Sequence, residues 1–97
     1  QTARRLIDLF ETDSRRVQQT GRAVPNALRV LAALRERPVL TLKHLRDAHK
    51  MTFPTAGKAM QSLLKTGIAR ELTGQRRNRV FVYDAYLSIL NEGGEPL

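Results

Sequence analysis

The stretch Thr41-Leu42-Lys43-His44-Leu45-Arg46-Asp47-Ala48-His49-Lys50-Met51-Thr52-Phe53-Pro54-Thr55-Ala56-Gly57-Lys58-Ala59-Met60-Gln61-Ser62-Leu63-Leu64-Lys65-Thr66-Gly67 decides the fold. Thr41 suits an N-cap, because its hydroxyl can accept a first-turn backbone N–H. Leu42, Leu45 and Ala48 then form the inner stripe of a helix over 42–49. Lys50-Met51 makes a turn. Thr52 caps a second helix, whose first turn tolerates Pro54 because N–H groups there have no intrahelical partner. Gly67 closes that helix. A helix of about two turns, a short turn and a helix of about four turns is helix-turn-helix spacing.

Beyond Gly67 the period changes from helical to strand-like. Residues 68–73 and 79–83 read as strands joined by the polar loop Gly74-Gln75-Arg76-Arg77-Asn78. Val80 and Val82 alternate with Phe81 and Tyr83 in the second strand, while the first alternates poorly and is expected to be short or bulged. Asp84 caps a last short helix through Leu90. On the N-terminal side, Ala3, Leu6, Ile7, Phe10 and Val17 recur at helical spacing, so a helix is expected over residues 3 to about 20. Arg4, Arg5, Arg15 and Arg16 mix with Asp8, Glu11 and Asp13 on its other face, which reads as solvated. Gly21 stops it. A second helix opens near Pro25, buries Ala27, Leu28, Leu31 and Leu34, and ends by Arg37 before Pro38. Val39-Leu40 reads as a short strand.

The fold class expected is mainly α with some β: a winged helix-turn-helix. It has a three-helix core and a small antiparallel hairpin wing, preceded by a long N-terminal helix and followed by a short C-terminal one. Residues 1–21 are expected to form a helix that links a missing N-terminal part to a winged helix domain over residues 22–97. Ninety-seven residues with 41% hydrophobic content suffice for one core. There is no cysteine, hence no disulfide framework or thiolate metal site. No apolar run approaches the roughly 18 residues of a membrane span, and a cytoplasmic protein is expected. The opening Gln1-Thr2-Ala3-Arg4, without Met and already in a helical pattern, reads as the start of a piece whose missing part lies on the N-terminal side.

Charge is confined to one segment. Between residues 37 and 79 lie Arg37, Lys43, Arg46, Lys50, Lys58, Lys65, Arg70, Arg76, Arg77 and Arg79, opposed only by Asp47 and Glu71. That net +8 equals the formal charge of the whole chain, because the flanks cancel. One electropositive face follows, and double-stranded DNA is the partner it suggests first. On a helical wheel, Phe53, Ala56, Ala59, Met60, Leu63 and Leu64 fall on the core side of the second helix. Pro54, Thr55, Lys58, Gln61, Ser62 and Lys65 fall outward, where such a helix meets the major groove. Lys58 and Gln61 suit base edges, and Thr52 and Thr55 suit phosphate at the positive helix end. Arg76, Arg77 and Arg79 suit the backbone or the minor groove beside it. A surface helix carries such polar residues in most soluble proteins. Three arginines within four residues repel one another, and are the sharper signal for an anionic partner.

Other chemistries find no support. His44, Asp47 and His49 do not make a metal site, because 49 points about 140° away from 44 on one helix. Ser14, Ser62 and Ser88 have no base close in sequence, the carboxylates are scattered and the glycines form no phosphate loop. No cofactor and no catalytic residue is expected.

The run from Ile68 through Glu71, Gly74, Gln75, Arg76, Arg77, Asn78 and Arg79 to Tyr83 resembles the C-terminal segment of Fic-family (Fic/DOC) proteins. So do its continuation over 84–93 and the upstream Phe53-Pro54-Thr55-Ala56. The resemblance covers essentially the whole chain and is most specific over 74–91. In that family a catalytic domain, usually transferring AMP from ATP to protein hydroxyls, is followed by a linking helix and a winged helix. The resemblance therefore implies an accessory domain of an AMP-transferase, with residues 3–20 as the linking helix. The family's His-Pro-Phe motif and glycine-rich anion loop are absent: His44 and His49 are followed by Leu45 and Lys50. This piece is accordingly expected not to be an enzyme. Two alternatives stay open beside DNA binding: a protein-interaction module that positions substrate or the catalytic domain, and a homodimerising module.

Overall fold

The computed structural model describes residues 1–21 and 23–93. Among them are five helices and a three-stranded antiparallel sheet: α1 (Thr2–Gln18), α2 (Val24–Glu36), β1 (Val39–Thr41), α3 (Leu42–His49), α4 (Phe53–Lys65), β2 (Arg70–Glu71), β3 (Val80–Val82) and α5 (Asp84–Gly93). Residues 94–97 and Arg22 lie outside the described residues.

The caps behave as their chemistry demands. Thr41 accepts from the His44 N–H at 3.0 Å, and Thr52 from the Thr55 N–H at 3.2 Å. α4 ends at Gly67, whose φ of +77° favours a residue without Cβ. The N–H groups of Ile68 and Ala69 then turn back onto the Leu63 carbonyl, at 3.0 and 3.1 Å. Those two residues finish the helix and are buried, so β2 begins only at Arg70 instead of at residue 68.

The sheet runs β1-β3-β2, with Leu40 and Glu71 both opposite Phe81 on the central strand. Ala27, Leu31 and Leu34 of α2 share one core with Leu45 of α3, Ala56, Met60 and Leu63 of α4, and Phe81 and Tyr83. α1 packs on α2 and α5 and adds Val17 to the same core. Residue 21 therefore separates two helices that are packed together in one unit.

Five side chains depart from the stripes expected of them. Phe53, assigned to the core, is 45% exposed, because Met51 in the preceding turn takes the buried slot at 2%. Ala48 is exposed, and the half-buried His49 completes the inner side of α3 with Leu42 and Leu45. Asp13, placed on a solvated face, is 3% exposed. It accepts a hydrogen bond from the Tyr83 hydroxyl at 2.6 Å and one from Arg16 at 3.1 Å. Arg16 also donates to the Thr66 carbonyl at the end of α4. One buried carboxylate thus joins α1 to β3's end, and its arginine joins α1 to α4. Ala3 and Ile7 of α1, expected inside, are exposed.

Candidate nucleic-acid interface

The outward surface of α4 is flanked by two hollows. One, of about 400 Å³, lies between the β2–β3 hairpin and the starts of α3 and α4; Lys43, Phe53 and residues 76–79 line it. The other, of about 540 Å³, sets Lys58, Gln61, Ser62 and Lys65 against Thr20 and Ala23 of the α1–α2 connection. The hairpin arginines therefore stand beside the N-terminal end of α4, while its Lys58–Gln61–Lys65 row lies along the adjoining flank. Thr52, Pro54, Lys58, Gln61 and Lys65 are exposed, and Thr55 and Ser62 are half-buried.

The acids on this face are matched by particular arginines. Arg46 bonds Asp47 at 2.9 Å, Arg79 bonds Glu71 at 2.9 Å, and Arg70 forks onto Asp84 at 2.7 and 3.1 Å. Each hydrogen-bonded guanidinium is the main reason its carboxyl sits below the usual carboxylate range. These are surface pairs and add little stability. Their consequence is electrostatic. With Asp47 and Glu71 neutralised, Lys50, Lys58, Lys65, Arg76 and Arg77 make no ion pair among the described residues.

Two of the expected contacts are modified by this geometry. Arg79 is half-buried, paired with Glu71 and stacked 5.0 Å over the Phe81 ring, so it braces the hairpin and leaves the outward charge to Arg76 and Arg77. The Thr52 hydroxyl accepts the cap bond and donates to the Thr55 hydroxyl at 3.0 Å. Thr55 is thereby left to donate outward.

Other residues on this surface went unassigned in the sequence. Lys43 and Arg46 make a row one turn apart on α3, and Lys50 follows at its C-terminal end. Phe53 lies beside them, with the Arg46 guanidinium 4.8 Å over its ring. The spacing of the row was readable. The exposure of Phe53 was not, because apolar residues at a wheel's edge carry no label.

The rings of His44 and His49 meet edge to face at 5.6 Å, although their helical angles differ widely. Asp47 is turned away to Arg46. The Arg37 guanidinium lies 3.1 Å from His44 Nδ1, so that nitrogen accepts and the ring is neutral. Burial first, and then the Arg37 charge, lower the His44 pKa below its ordinary 6.5. The folded state then binds fewer protons than the unfolded one, so stability is full above pH 6.5 and falls as pH drops through the folded value. Asp47, Glu71 and Asp84 carry the same sign further into acid. The melting temperature is expected to be level between pH 8 and 7 and to decline below 6.5, with His44→Gln flattening the first part of the decline. A melting temperature that rises below pH 6.5 would reverse this assignment.

No family model matches the chain, and no curated protein matches it. No helix among the described residues is long and apolar enough to cross a membrane.

Proposed function

We propose that this chain is a winged helix-turn-helix domain that binds double-stranded DNA. On this reading α4 enters the major groove and the β2–β3 hairpin, as the wing, grips the backbone. The observation that carries the reading is the cleft holding Lys43, Phe53 and the hairpin arginines at the start of α4. It gathers cations from α3 and the hairpin, Arg76 and Arg77 among them without an ion pair among the described residues, around the start of the one helix whose outward residues suit base edges. The association with a Fic-family AMP-transferase rests on the resemblance over residues 53–56 and 68–93, and the DNA reading does not depend on it.

Fluorescence anisotropy of a labelled 25-mer duplex, titrated at low and then moderate salt, tests the proposal. Five or six neutralised phosphates give a slope of log K against log[salt] of roughly −4 to −6. No binding at low salt would remove the DNA role.

A second reading has one observation of its own. Ile7 on α1 is 47% exposed and Leu90 on α5 is 37% exposed, on two helices packed together and tied by the Arg5–Glu92 ion pair. These exposed apolar side chains are what a partner domain or a second copy would cover. Ile7→Glu tests it without touching the half-buried Leu6 and Phe10. Capture of a partner domain, or dimerisation in sedimentation, that is lost in Ile7→Glu would favour it over the DNA reading.

A further inference from the structure

Two residues on the cationic face are poor choices for the backbone they occupy. Gly57 sits in the middle of α4, where glycine is the poorest helix former after proline. Nothing in the fold requires it: a Cβ built there meets no atom within 4 Å. Seven residues earlier, Lys50 holds φ at +56°, a left-handed conformation that glycine adopts freely and a lysine does not. Glycine stands where a side chain would stabilise, and a lysine where glycine would. Departures from local preference that the fold does not repay mark functional positions.

Phe53 is the third member of the set. It is a large apolar group left 45% exposed at the first position of α4, ringed by Lys43, Arg46, Arg76 and Arg77. Phe53, Gly57 and Gln61 follow one another at i, i+4 and i+8, so they lie along one line on the helix. If α4 lies in a major groove, phosphates and most base edges present only charge or hydrogen-bonding groups to that line. The 5-methyl of thymine is the apolar feature the groove offers.

We propose, resting on the DNA reading above, that α4 reads base edges along the Phe53–Gly57–Gln61 line. Gly57 is the point of closest approach, and Phe53 packs on a thymine 5-methyl group. Lys50 holds the phosphate that flanks this contact. The bare backbone at Gly57 lets the helix settle deeper than any side chain there would permit.

The test uses duplexes enriched by the wild-type chain from a random 25-mer pool, each remade with deoxyuridine at single thymine positions. At one or two positions, removing the methyl is expected to weaken wild-type binding about fourfold, the factor of one buried methyl-sized group. Phe53→Ala should bind the thymine and uracil duplexes equally. Gly57→Ala is expected to raise the melting temperature and weaken binding at least tenfold, and Lys50→Gly to move both in the same directions. Equal binding of thymine and uracil at every position would overturn the Phe53 contact. Undiminished binding by a stabilised Gly57→Ala would overturn the close approach. If the wild-type chain enriches no duplex at low salt, the DNA reading itself fails, an outcome distinct from either.

Discussion

Replacing both Arg76 and Arg77 with alanine is expected to weaken duplex binding about 60-fold at 0.1 M salt, and only about 20-fold at 0.2 M. Counterion release sets both figures. Each phosphate contact contributes a salt exponent of about 0.9, so two contacts scale affinity by the salt concentration to the power −1.8. The loss should be alike for all duplex sequences, because phosphates carry no base information. The fold should be untouched: both side chains are exposed on the hairpin and make no ion pair among the described residues. Arg79→Ala should behave differently. It frees Glu71 and uncovers Phe81, and so it combines a stability loss with a binding loss. An unchanged salt slope in the Arg76/Arg77 double variant would take the hairpin out of the interface.

The largest stability effect is expected at Tyr83. Its hydroxyl donates at 2.6 Å to Asp13, which is almost completely buried and whose other partner is Arg16. Tyr83→Phe keeps the ring in the core but leaves the carboxylate one donor short in a low-dielectric site. Hydrogen bonds to buried charged groups are worth about 1.5–3 kcal/mol, and an uncompensated buried charge costs more. A loss of about 2–3 kcal/mol should lower the melting temperature by roughly 10–20 °C in a domain of this size. Burial, and then the Asp13 hydrogen bond and charge, push the Tyr83 phenol far above its ordinary value of 10. The contribution of this group is therefore fully present below pH 10 and lost as pH rises above it, a loss that Tyr83→Phe should no longer show. Asp13→Asn retains an acceptor for the hydroxyl and should cost less than Tyr83→Phe. A melting temperature for Tyr83→Phe within two or three degrees of wild type would show that water replaces the hydroxyl at no expense.

The helices over 41–66 were legible because their punctuation is local. Thr41, Thr52, Pro54 and Gly67 each act on the backbone within a turn of their own position, so spacing alone locates the ends. The hairpin was legible for the same reason, from the polar run over 74–78. What spacing does not convey is which partner lies across the fold. Asp13 sits among Arg15, Arg16 and Glu11 and looks like one more solvated charge; its real partner, Tyr83, is seventy positions away. Phe53 failed for a related reason. Its wheel angle borders the core, and only the path of the turn decides that Met51 goes inside and Phe53 stays out. Arg79 counted as a free cation until the sheet register set Glu71 beside it. The surface residues Lys58, Gln61 and Lys65 lie where the wheel put them, since outward positions need no long-range information.

The most direct measurement is amide chemical-shift mapping of the ¹⁵N-labelled chain during titration with a 25-mer duplex at low salt. Perturbations are expected to concentrate at residues 43–50 on and just after α3, at 52–65 on α4 and its cap, and at 74–79 in the hairpin, and to be reversed by added salt. Perturbations concentrated instead on α1 and α5, around residues 3–10 and 86–91, or none anywhere at millimolar duplex, would contradict the DNA reading.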